Sequence, residues 1–228
     1  MSATVPKSSL EFLRKLAKNN TKEWMDAHRK TYKTSEKALK EFYTEVEKGL
    51  NKTDEISKLK VFRINRDIRF SKDKTPYNVH RSVSFSRAGA HRRGGYYLRI
   101  EPNNKSVVAG GFFGPEPSDL LRIRKEFEMD ASEIRNILAA TEFKKAYGGK
   151  FEAWDPVKTA PKGFSKEHPN IDLIRLKNFV VTHPFTDAEV TAPDFSEKVV
   201  HHFELLRPFF DYMSEVLTTD LNGVSTLP

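Results

Sequence analysis

The chain contains no cysteine in its 228 residues. That excludes disulfides, thiolate metal centres and a cysteine nucleophile, and it fits a reducing compartment. Long apolar runs are missing too. No window approaches the roughly 18 apolar residues of a membrane span. The opening MSATVPKSSLEFL has no apolar run long enough for a secretory signal. The expectation is a cytoplasmic protein that does not enter a membrane. The glycines at 110, 111 and 114 lack the spacing of a dinucleotide or P-loop site. Histidines are few and badly placed for a metal: His201 and His202 are adjacent, so on a helix they point about 100° apart, and His168 and His183, each before a proline, read as loop residues. Neither a metal nor a cofactor is expected.

Acidic residues are also scarce in one region. Between Arg63 and Arg99 there are ten Lys or Arg against only Asp67 and Asp73, a surplus of eight. The whole chain carries a net charge of +8, so everything outside this window is neutral in sum. Positive charge gathered in one place favours an anionic partner.

The periodicities predict an α+β fold in a single domain over 1–228. Leu10, Leu13 and Leu16 give a short amphipathic helix, with Ser8 and Glu11 as a capping box. Asn20 to Glu23 repeats that box before Trp24. Leu39, Phe42, Val46 and Leu50 mark a long helix over about 32–50. A central antiparallel sheet follows over about 61–113, packed by N-terminal and C-terminal helices. Phe62, Ile64, Ile68 and Phe70 alternate with polar residues and predict its first strand, with Arg66 interrupting the pattern at a turn or reaching a carboxylate. Val79 to Ser86, Tyr96 to Glu101 and Ser106 to Phe113 predict the next three, and Gly110-Gly111 a close backbone approach.

Beyond the sheet, Ser118 opens a helix to about Phe127. Asp130 to Glu133 is a further capping box, and a short helix stops at Gly148-Gly149. The stretch 151–169 reads as irregular. The β-branched run 178–182 is available to return to the sheet. Thr186 to Glu189 is another capping box. A last helix runs from about Pro193 to Leu217, kinked at Pro208.

The segments LRKLAKNNTKEWMDAHRKTY, FRINRDIRFSKDKTPY, GYYLRIEP, GGFFGPEP, KGFSKEHPNIDLIRLKNFVV and LRPFFDYM occur in this order. Together they resemble a widespread family of conserved hypothetical proteins, domain of unknown function 2461. The likeness spans about Leu10 to Met213, and RDIRFSKDKTPY, Arg66 to Tyr77, is its most specific part. The resemblance implies one compact α+β domain and points at the basic block; it carries no catalytic roles with it.

The basic block has the chemistry of phosphate or carboxylate recognition. Arg63, Arg66, Arg69 and Arg81 offer forked guanidiniums, Lys72 and Lys74 point charges, and Tyr77, Phe85, Tyr96 and Tyr97 rings on which a ligand can stack. The expected partner is an anionic small molecule, with nucleic acid as the polyanionic alternative, although no nucleic-acid-binding motif is present. An enzyme using the same cleft on a phosphoester or carboxylate would take Asp67 or Asp73 as base and His80 as proton carrier, with Arg69 and Lys74 stabilising charge. A domain docking an acidic protein partner is the third reading. Against all of these stands a purely structural account, in which Asp67 and Asp73 pair with Arg66, Arg69 and Lys72.

Overall fold

The computed structural model describes residues 3–154 and 156–227; Asp155, within the stretch expected to be irregular, lies outside them. Helices α1 (Lys7–Lys18), α2 (Lys22–Ala27) and α3 (Arg29–Leu50) come first. Strands β1 (Ile56–Val61), β2 (Arg81–Arg87), β3 (Gly95–Ile100) and β4 (Ser106–Phe112) follow. Then come α4 (Pro117–Met129), α5 (Ser132–Ala139), α6 (Thr141–Tyr147), α7 (Ile171–Ile174), β5 (Phe179–Phe185), α8 (Asp187–Val190), α9 (Phe195–Glu204) and α10 (Arg207–Thr218). The strands form one antiparallel sheet in the order β1-β2-β3-β4-β5, so the fold is α+β with helices from both ends of the chain. The run after Asn178 does return to the sheet, as its last strand. Among the described residues no helix is long and apolar enough to cross a membrane.

The first strand differs from expectation. β1 precedes the alternating stretch, and residues 62–80 form an arm between β1 and β2 with a single antiparallel bridge, Asn65 to Tyr77. The alternation has a different cause. Ile64 is buried with Phe12, Leu13, Leu16, Met25 and Tyr77 in a small core against which Trp24 and Tyr32 pack, while Phe70 is left in solvent.

The last helix also differs. It stops at Glu204 and restarts at Arg207, with Pro208 in the first turn of α10, the place where a missing amide proton costs least. Among the expected capping boxes, the one from Thr186 to Glu189 forms in full. α1 starts one residue before Ser8 with no side-chain cap. α4 has Glu116 as its N-cap residue, ahead of Ser118. Asp130, just outside α5, accepts from the amide and hydroxyl of its first residue, Ser132, but is not its N-cap residue. Thr21, not Asn20, caps α2.

The chain divides into two compact units. The first holds the chain up to Ser86 with Tyr97–Val108 and Pro184–His202. Its second apolar cluster has Phe195 stacked on Phe42 at 5.4 Å and met edge-on by Phe185 at 5.1 Å. The second holds Arg87–Tyr96, Ala109–His183 and the chain from Phe203 on. Its core is a chain of rings running Phe127, Phe179, Phe151, Phe209, Phe112, with successive centroids 5.2–5.7 Å apart. Such edge and tilted pairs favour aromatic packing beyond area burial alone. The phenylalanines of the terminal helix are therefore core residues.

Asn20 has a different task from the expected cap. Its side-chain amide donates to the Tyr77 carbonyl at 2.8 Å and its oxygen accepts from the Tyr77 amide at 3.1 Å. This clamp ties the arm to the α1–α2 corner. Asn20→Ala should cost about 1–3 kcal/mol, the penalty for two main-chain groups left without partners, read as a lower urea midpoint at unchanged m.

Candidate functional site

The basic block is an arm stapled by its own charges. The Arg66 guanidinium donates to Asp73 at 2.6 Å, to the Thr75 carbonyl at 3.0 Å and to the Thr75 hydroxyl. Asp73 in turn accepts from the Thr75 amide at 2.9 Å. These bonds close the turn 71–75, and the Asp73 carboxyl is held below its usual range by the Thr75 amide and hydroxyl and by Arg66. The interruption at Arg66 thus marks a turn, and the side chain reaches a carboxylate across it. Arg69 forms a two-pronged pair with Asp67, at 3.0 and 2.6 Å, which lowers the Asp67 pKa. Lys74 donates to the carbonyls of Ile68 and Arg69, at 2.9 and 3.4 Å.

Two further candidates lie in the interior. Tyr77 belongs to the small core around Ile64. Arg81 is 4 % exposed and grips Glu36 of α3 through both prongs, at 2.5 and 2.8 Å. Burial pulls the Arg81 pKa down, but the Glu36 hydrogen bonds and charge more than offset it. Neither side chain lines the cleft at the base of the arm, and Phe85 and Tyr96 are buried as well.

A separate set of groups lines a cleft of about 450 Å³ between the base of the arm and the outer face of β2 and β3: Arg63, Asn65, Arg66, Asp67, Asn78, His80, Ser82, Phe62 and Tyr97. Arg63, Arg66, Asp67 and His80 are thereby brought together. Arg69, Lys72 and Lys74 stand outside the lining. The side chains of Arg63, Asn65, Asn78, His80, Ser82 and Tyr97 make no hydrogen bond or ion pair with protein among the described residues. Polar groups gathered around a concavity without internal partners are what a ligand would satisfy. Phe62 and Tyr97 meet edge-on, 6.2 Å apart, and give the cleft an aromatic wall. Tyr97 was among the rings expected from the sequence, but Asn65, Asn78 and Ser82 were absent from the sequence-based set. The alternation of β2 and β3 placed Ser82 and Tyr97 on the wet face, but the neutral amides carried no signal of their own.

His80 is half-buried, and its pKa is lowered to about 4 by burial first and by the charges of Arg99 and Arg81 second. It is a neutral imidazole at pH 7. The sign of its contribution follows: a histidine with a folded pKa below its unfolded value near 6.5 stabilises fully above that value, and the contribution fades as pH falls towards 4. Urea unfolding at pH 7 and pH 4.5 should show a drop that His80→Gln reduces by about 1–2 kcal/mol, after discounting for solvent screening. An imidazole that titrates near 6.5 by NMR would contradict this environment.

Among the described residues no group of three or more His, Asp or Glu could hold a metal ion. In comparison with known proteins, the family model described as "Conserved hypothetical protein (DUF2461)" matches residues 8–212. No curated protein and no solved structure matches.

Proposed function

The chain belongs to this family, whose description names no activity, and we propose that the cleft at the base of the arm binds a small anionic ligand bearing a phosphate. One observation carries the reading: Arg63 and His80 line the same concavity, beside the amides of Asn65 and Asn78, and none of these side chains makes a hydrogen bond or ion pair with protein among the described residues. Arg63 supplies a guanidinium for a phosphate oxygen. Asn65, Asn78 and Ser82 supply neutral donors and acceptors, and the Phe62–Tyr97 wall supplies a surface for a planar group. His80 sits where the charges of Arg99 and Arg81 disfavour its protonation. An anion in the cleft reverses that field, so ligand binding raises the His80 pKa.

The test is a titration of the protein with inorganic pyrophosphate, following the His80 imidazole by NMR and affinity by calorimetry. The His80 signals move, and Arg63→Ala weakens binding at least tenfold, as loss of a charge-assisted hydrogen bond of about 1.5–3 kcal/mol requires. Unmoved His80 signals at saturating pyrophosphate would overturn the reading.

Hydrolysis of a phosphoester or carboxylate ester in the same cleft is a second reading, favoured by the presence of Asp67 and His80 in one lining. Asp67 is a poor general base in this state, because Arg69 holds it ionised and hydrogen-bonded. Turnover of a generic phosphatase or esterase substrate that is lost in Asp67→Asn supports this reading; turnover equal in both proteins, or none, rejects it.

A further inference from the structure

Phe70 has no structural task. It lies in the arm between Arg69 and the turn 71–75, and it is 96 % exposed. The Arg69 guanidinium lies over the ring, 5.9 Å from its centre. The carboxylates near it are already engaged, Asp67 by Arg69 and Asp73 by Arg66. Lys72 has no carboxylate partner among the described residues. The Lys74 ammonium rests on main-chain carbonyls, so no acid offsets its charge. The distal arm therefore presents one bare aromatic ring with two uncompensated cations beside it. Arg66 connects this end to the cleft, since it lines the cleft and also bonds Asp73 and Thr75 of the turn.

Resting on the reading of the cleft as an anion site, we propose that the arm and cleft together bind single-stranded nucleic acid. A base stacks on Phe70. Phosphates lie against Lys72, Lys74 and Arg63. A neighbouring base enters the cleft against Phe62 and Tyr97, where Asn65, Asn78 and Ser82 meet its edge. Aromatic rings interleaved with cations are the chemistry by which unpaired bases and their backbone are held. A duplex keeps its bases stacked inside and has nothing to offer Phe70 or the cleft. A lipid surface would use Phe70 and the lysines but leave the amide-lined cleft without a purpose.

The experiment is fluorescence anisotropy with a labelled oligothymidylate of about ten nucleotides, within the range one such site covers. It uses the full chain, Phe70→Ala, Lys72→Ala and Arg63→Ala. Phe70 and Lys72 are exposed, so these variants fold. Phe70→Ala weakens binding at least fivefold, the low end of what one stacked base contributes. The log affinity falls against log salt with a slope of about −2, at about −0.7 for each of three phosphates, and Lys72→Ala or Arg63→Ala takes away about 0.7 of it. Equal affinity of wild type and Phe70→Ala overturns the proposal. So does tighter binding to the duplex of the same sequence, or Phe70-dependent binding to phosphatidylserine vesicles with none to the oligonucleotide. Pyrophosphate that shifts His80 while oligonucleotide binding ignores Phe70 overturns this inference alone; pyrophosphate that leaves His80 unmoved overturns the cleft reading with it.

Discussion

Gly111→Ala should destroy the cooperative fold of the second compact unit. Gly111 lies in β4 at φ +139°, a backbone conformation that side-chain-bearing residues rarely adopt. A Cβ built there would sit 2.0 Å from the Phe179 carbonyl oxygen and 2.8 Å from the Val180 Cα, both main-chain atoms of β5. No rotamer change relieves a clash with backbone, so β4 and β5 must separate or the strand must twist out of register. A strained dihedral alone costs on the order of 1–3 kcal/mol. The steric term adds to that, and the sum is a large share of a stability of roughly 5–15 kcal/mol. The expected result is insoluble protein, or a melting temperature lowered by more than about 10 °C. Gly114→Ala is the control. It also has positive φ, at +58°, but nothing lies within 4 Å of the added carbon, so its cost stays near 1 kcal/mol. A Gly111→Ala protein that melts within a few degrees of wild type would show that the two strands do not approach as described.

The second large effect is expected at Glu36. Its removal leaves the Arg81 guanidinium, 4 % exposed, without a counter-charge. Breaking one half of a buried pair costs about 3–5 kcal/mol, whereas replacing both halves by apolar residues of similar size is often neutral or better. Glu36→Ala should therefore be severely destabilised, and Arg81→Met with Glu36→Leu should recover most of the loss. The cycle is measured by urea unfolding at neutral pH and low salt. A Glu36→Ala protein as stable as wild type would mean the pair is solvated rather than buried. The same geometry explains why Arg81 takes no part in the cleft, although it belongs to the same cationic cluster in sequence.

Much of the fold was legible because burial writes a period into the chain. Tyr96, Leu98 and Ile100 are buried at every second position of β3, as their alternation requires. Leu39, Phe42, Val46 and Leu50 all lie on the inner face of α3. β1 was not legible. Its sequence, ISKLKV, is an edge strand with no buried residue, and lysines on an edge serve to prevent further pairing, which erases the apolar signal. At the other edge, β5 tolerates Pro184 for the same reason: an edge strand can spare a ladder donor. The arm was misread as a strand because Ile64 and Phe70 obey the same period for unrelated reasons, one packed in a core and one bare.

The candidate site was legible only in its charges. Counting cations located the arm, but a count cannot say which of them the protein keeps for itself. Arg66, Arg69 and Arg81 are engaged with Asp73, Asp67 and Glu36. Glu36 lies 45 residues from Arg81 in sequence, so no local pattern announces that pairing. Asn65 and Asn78 face the cleft because the Asn65–Tyr77 bridge sets the pairing of the arm's two sides, and that pairing is a property of the folded chain.

The Arg66 staple and the Asn20 clamp have a kinetic consequence. They freeze the arm during folding, so its conformational entropy is already surrendered before any ligand arrives. Association should then be a single fast phase whose rate rises linearly with concentration, with no slow closing step. Cutting the staple with Arg66→Ala should slow capture and add a second phase.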